Sequence, residues 1–152
     1  MPSLDEILNE WDNDSNMDYS ECGEEARKIP RLHAKYLRWL TAEKLALDSF
    51  DLALNKITLE KKKYYNDGVK SLPEYEEKKA KWKTAEHPGK IIIKTMREDY
   101  LDADDDIHEA RVARNQCNQR INALDMILKS VMNRGYLITN MITWQQYTGG
   151  GK

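Results

Sequence analysis

Residues 36–68 read YLRWLTAEKLALDSFDLALNKITLEKKKYYNDG. Leu40, Leu47 and Leu54 recur at one heptad position, and Phe50, Ile57 and Tyr64 at another. That spacing keeps one side of an α-helix apolar, and Glu43 and Lys61 interrupt the seam. Upstream the pattern reaches about Arg31, where Pro30 suits a first helical turn. Downstream, Asn66-Asp67-Gly68 is a turn signal. The stretch therefore predicts one long helix from about Arg31 to Tyr65, and with it an all-α chain.

The end of that helix carries the chemistry. Three adjacent lysines, Lys61, Lys62 and Lys63, fan over roughly 200° of a helix and cannot all face a core. With Lys56 upstream and Tyr64 and Tyr65 directly after, they read as a positive knob beside two aromatic rings. Cations for phosphates and flat faces for unstacked bases are what single-stranded nucleic acid requires. The alternative is a solvated helix end, its lysines complementing the negative pole and one tyrosine packed inward. A second basic-aromatic patch follows in a short helix expected from Ser71-Leu72-Pro73-Glu74 to about Lys83. There Tyr75 and Trp82 are interleaved with Lys78, Lys79, Lys81 and Lys83. Tyr36 and Trp39, beside Lys35 and Arg38, echo the composition, but large aromatics at helical spacing are read first as core.

After a break at His87-Pro88-Gly89 and the β-branched Ile91-Ile92-Ile93, a second long helix is expected from about Thr95 to Asn133. Its seam runs Ile93, Met96, Tyr100, Ala103, Ile107, Ala110, Arg114, Cys117, Ile121, Leu124, Leu128, Val131, with Arg114 the polar break. Arg134-Gly135 looks like a C-terminal cap. An apolar piece then follows, with Leu137, Ile138, Met141, Ile142, Trp144 and Tyr147 as the candidate self-association residues. Two long antiparallel helices with short flanking ones form a slender, coiled-coil-like hairpin. Such a hairpin leaves apolar faces uncovered, so oligomerisation is expected.

The net charge of −2 over 152 residues hides an asymmetry. Residues 1–25 hold nine acids and no Lys or Arg, leaving +7 on the remainder. This acidic arm either keeps the protein soluble or shields a basic face. Within it, Ser3 and Glu6 form a capping box ahead of the helically spaced Leu4, Ile7, Leu8 and Trp11; Asp12 to Asn16 is expected to be loop. The organisation expected is an arm at 1–25, a helical nucleic-acid-binding body at 26–135 and a self-association segment at 136–152.

Other functions find little support. Cys22 and Cys117 stand apart and read as reduced thiols. No phosphate-cradling glycine loop is present, and His33, His87 and His108 are not spaced as metal ligands. The acidic run around Asp104-Asp105-Asp106 fails as a calcium loop, because a start at Asp102 meets Ile107 and Ala113 where Gly and Glu are needed. Those acids are read as a solvated face near a helix start. No apolar run approaches a membrane span and no signal peptide is seen, so a soluble intracellular protein without enzyme activity or cofactor is expected.

Three segments in order resemble the UvsY-type recombination mediators of T-even-like phages. Tyr36-Leu37-Arg38-Trp39-Leu40 is similar to a Tyr-x-Lys-Trp-Leu arrangement. The basic helix ends in Tyr64-Tyr65 before a glycine turn, and Lys129-Ser130 to Asn133-Arg134-Gly135-Tyr136-Leu137-Ile138 is similar to a Lys-Ser-Arg-Gly-Phe-Ala-Ile segment. The resemblance spans about residues 35–152, with the arm outside it. It implies a ring of six or seven subunits that binds single-stranded DNA non-specifically in the cytoplasm of an infected host. It also implies loading of a RecA-like, UvsX-type recombinase onto strands covered by the phage single-strand binding protein. On that resemblance Lys61 stands where the family has an arginine, while Leu59 replaces a family lysine. A coiled-coil adaptor that binds no nucleic acid is the alternative function.

Overall fold

The computed structural model describes residues 1–66, 75–83 and 94–149, and the regular structure among them is entirely helical. The Asp67-Gly68 turn, the helix start at Ser71 to Glu74, the break at His87-Pro88-Gly89 and Ile91 to Ile93 lie outside the described residues.

Helix α1 (Leu4–Ser15) begins as its sequence dictates. Ser3 Oγ accepts from the Glu6 N–H at 3.2 Å, and the Ser3 N–H donates to Glu6 Oε2 at 2.7 Å. The stretch from Asp12 onward, expected as loop, instead continues the helix to Ser15, because Asp14 is held by Lys35 and Tyr36. A 3-10 turn at Tyr19–Glu21, capped by Asp18, leads directly into α2 (Cys22–Asn66). This helix starts at Cys22 rather than near Arg31, so Pro30 lies inside it and cannot donate to the Ala26 carbonyl. Glu24 and Glu25 in the first turn favour the positive helix pole, and burial of Leu32 and Tyr36 beyond Pro30 sustains the helix. Its end at Asn66 is where the turn signal placed it.

Helix α3 (Glu76–Lys79) is short. The long helix expected from Thr95 is in fact two, α4 (Lys94–Asp102) and α5 (Asp105–Thr148). Asp104 makes the break: its Oδ1 accepts from the Asp106 N–H at 3.0 Å and the Ile107 N–H at 3.1 Å, starting a new helix. Conversely, Gly135 does not stop α5. Arg134 is buried, donates to the Asp14 carbonyl and lies 5.3 Å from the Trp11 ring, and this packing carries the helix past the glycine.

Contacts divide the chain into two units, Met1–Leu45 with Cys117–Lys152, and Ala46–Gln116. The first has a core of Ile7, Leu32, Tyr36, Leu40, Ile121, Leu124, Leu128 and Val131. The acidic arm contributes to that core: Ile7 is fully buried, and Trp11 meets Tyr36 edge-on at 5.6 Å. In the second unit Tyr64, Tyr65, Tyr75, Leu101 and Ile107 form the core, flanked by Leu54, Ile57, Trp82 and Tyr100. There α2 and α5 run antiparallel, Asp51 pairing with Arg114 and Lys61 with Asp106.

The three polar breaks in the seams all meet partners. Buried Glu43 accepts from Arg120 Nε at 2.8 Å and from the Cys117 thiol at 3.3 Å. Burial and this carboxylate push the Cys117 thiol up to about 11, which keeps it protonated at neutral pH. Arg114 meets Asp51, and Lys61 meets two aspartates. Each break is thus a cross-helix ion pair.

Candidate nucleic-acid interface

The site is built on the last turns of α2. Because one lysine of the triplet faces inward, helix geometry turns its two neighbours outward. Lys61 faces inward. Its side chain is 0% exposed, with Nζ 2.9 Å from Asp104 Oδ2, 2.9 Å from Asp106 Oδ2 and 4.1 Å from the centre of the Trp82 ring. Asp104 is equally buried and uses both oxygens, one as the α5 cap and the other for Lys61 and the Tyr65 hydroxyl, which donates at 2.8 Å. Burial and this hydrogen bond push the Tyr65 phenol well above its ordinary range. The solvated-face reading of the acidic run holds for the exposed Asp102, Asp105 and Glu109 and is corrected for Asp104 and Asp106, the internal counter-charges of Lys61. Asp106 Oδ1 also accepts from the Lys83 N–H at 2.9 Å, tying the end of the basic segment to α5.

Aromatic rings complete the support. Tyr64 meets Tyr65, Tyr75 and Trp82 at 5.3, 5.2 and 5.1 Å between centroids, and Tyr65 stacks on Tyr100 at 5.6 Å. Contacts of this kind add about 0.5–1.5 kcal/mol each beyond area burial. Tyr64 and Tyr65 are core rings here, with 0% and 1% exposure, rather than flat faces open to bases.

The surface above this platform is cationic. Lys56, Lys62 and Lys63 are exposed and make no ion pair among the described residues. Lys78 is exposed, 5.7 Å from the Tyr75 ring, with Glu60 at 3.9 Å; half-buried Lys79 lies 5.9 Å from the Tyr64 ring. Lys83 pairs with Glu109, whose hydrogen bond raises the lysine above its ordinary value. The structure thus brings Lys61, Tyr64, Tyr65, Lys78 and Lys79 into one cluster with Trp82, whereas Lys62 and Lys63 project from it. Sequence reasoning missed Asp104, Asp106 and Trp82 as the partners of Lys61. A charge at a seam position was the available signal, because it requires an opposite charge on the facing helix.

Of the candidate self-association residues, Leu137, Ile142, Trp144 and Tyr147 are exposed and Met141 is half-buried. Ile138 is buried within its own chain. No described helix is long and apolar enough to cross a membrane.

These features define a protein, helical throughout its described regular structure, that presents lysines from an ion-paired, aromatic platform. A family model described as "Recombination, repair and ssDNA binding protein UvsY" matches residues 10–151, and the chain belongs to the UvsY family. The match begins at Glu10, so the family pattern takes in Trp11 and Asp14 of the acidic arm, which the sequence resemblance placed outside it. No curated protein and no solved structure matches the chain. The family description names recombination, repair and single-stranded DNA binding, and no catalytic activity.

Proposed function

We propose that this protein is a recombination mediator. It binds single-stranded DNA without sequence preference through Lys56, Lys62, Lys63, Lys78 and Lys79. As an oligomer, a ring of six or seven subunits, it helps a RecA-like, UvsX-type recombinase assemble on strands covered by the phage single-strand binding protein. The observation that carries the contact residues is the exposure of Lys62 and Lys63 beside a buried, doubly paired Lys61. In this reading Lys61, Tyr64 and Tyr65 position the contact turn and do not touch the strand. One subunit offers weak, salt-sensitive phosphate contacts, and several copies on one strand multiply them into tight binding. The spread strand then gives the recombinase a place to nucleate.

The test is binding to fluorescent oligo-dT at several salt concentrations, with the mass in solution read in parallel. Affinity should fall steeply with salt, and Lys62→Ala with Lys63→Ala should flatten the slope of log K against log salt by about 1.4, roughly 0.7 per lost phosphate contact. An unchanged slope would overturn the assignment of these lysines. Loading is tested separately, on oligo-dT pre-covered with single-strand binding protein. The wild-type chain should shorten the lag of recombinase ATP hydrolysis, and no shortening would leave a DNA-binding adaptor.

A further inference from the structure

A second cation-rich face belongs to the unit formed by Met1–Leu45 and Cys117–Lys152. Arg31, Ala34, Lys35, Arg38 and Trp39 line a shallow groove of about 250 Å³ on α2. Their spacing places all five on one side of the helix, and Arg31, Lys35 and Arg38 step along it by about 6 and 4.5 Å. Arg31 and Arg38 are exposed and make no ion pair among the described residues. Trp39 is half-buried; Tyr36 holds it edge-on at 5.5 Å and an 86° interplanar angle, fixing the indole without covering it. Lys35 Nζ stands 5.4 Å from the Trp39 ring centre.

We infer that Arg31, Arg38 and Trp39, beside Lys35, form a second contact for single-stranded DNA, the arginines on phosphates and the indole against a base. This inference rests on the proposed single-strand binding and extends it to the other unit. Charge complementarity selects the occupant. The groove offers two exposed arginines and one fixed aromatic ring, whereas an acidic peptide would use the cations and leave the indole idle. Helix α1 engages Lys35 and Tyr36 beside this groove. Its Glu10 and Asp14 carboxylates both hold Lys35, and its Trp11 ring meets Tyr36, so anions and an aromatic ring from the acidic arm already occupy one edge of this face. Arg31 and Arg38 lie outside that grip.

Two readouts on the full chain test the inference. Arg31→Ala with Arg38→Ala should lower the slope of log K against log salt for oligo-dT by about 1.4. Photocrosslinking of iodouracil-substituted oligo-dT to the wild-type chain, mapped by mass spectrometry, should give an adduct on Trp39. The absence of either effect overturns the second contact. If Lys62→Ala with Lys63→Ala still flattens the slope while the arginine variant does not, the single-strand reading stands without this site. If wild type shows no salt-dependent binding, both fall. An arginine effect without a Trp39 adduct would put phosphates but no base at the groove, and would likewise overturn the contact as proposed.

Discussion

Lys61 and Lys62 are neighbours of one type with opposite environments, and the difference sets what each substitution should do. Removing the Lys61 ammonium takes from the buried Asp104 carboxylate the cation it pairs with, and one cation from Asp106. Breaking a buried pair in this way costs about 3–5 kcal/mol, so Lys61→Ala should shift the urea midpoint far downward. Lys62→Ala, on the surface, should stay within about 0.5 kcal/mol of wild type and show its effect only in DNA binding. Equal stability of the two variants would contradict the buried position of Lys61. Asp14 allows a second test. Partial burial pushes its carboxyl up, but hydrogen bonds from Lys35 and Tyr36 outweigh this and hold it below the ordinary value of 3.8. A lowered native value means the stabilisation is complete above 3.8 and is lost as pH falls below it, through the native value. Wild type should therefore exceed Asp14→Asn in denaturant midpoint at about pH 7, with the gap closing as pH falls below 3.8. A constant gap would show that the carboxylate charge plays no part.

Helix α5 shows how local signals and packing compete. Gly135 sits in its interior with helical neighbours on both sides, and a Cβ added there would meet nothing within 4 Å. Gly135→Ala should accordingly stabilise the chain by about 0.5–1 kcal/mol in thermal or denaturant unfolding. Destabilisation would mean that the helix bends or ends at this residue. The example also explains what the sequence could and could not reveal. Heptad spacing exposed both long helices, Ser3 and Glu6 announced α1, and Asn66 closed α2, because each is decided by residues within a few turns. Gly135, Pro30 and Asp104 misled for one shared reason: distant residues settle them. Arg134 and Trp11 carry α5 past its glycine, Leu32 and Tyr36 sustain α2 through its proline, and Lys61 makes Asp104 a buried cap. The lysine cluster was readable as a cluster. Which of its members points inward depended on the aspartates opposite, and a one-helix reading does not contain them.

Beyond the single chain, the end of α5 carries uncovered apolar side chains that bear on assembly. Tyr136, Leu137, Trp144 and Tyr147 are 74, 48, 61 and 84% exposed. Helix periodicity puts them within about 100° of one another, on a side turned away from the buried Ile138. A stripe of that kind on a charged protein marks an interaction surface, and a second copy of the chain is the partner proposed for it. Trp144→Glu with Tyr147→Glu should therefore reduce the mass in solution to that of a small oligomer or monomer. Far-UV helicity should be retained, because neither ring is packed in the core. If binding strength comes from many weak contacts along one strand, the same variant should lose about 10²–10⁴ in affinity for long oligo-dT. Its affinity for an oligonucleotide short enough for one subunit should hardly change, since the lysines of each subunit remain. An unchanged mass would remove this stripe from the assembly interface. Dissociation with full affinity for the long strand would show instead that one subunit suffices to hold DNA, and that the proposed assembly is not what gives the strand its affinity.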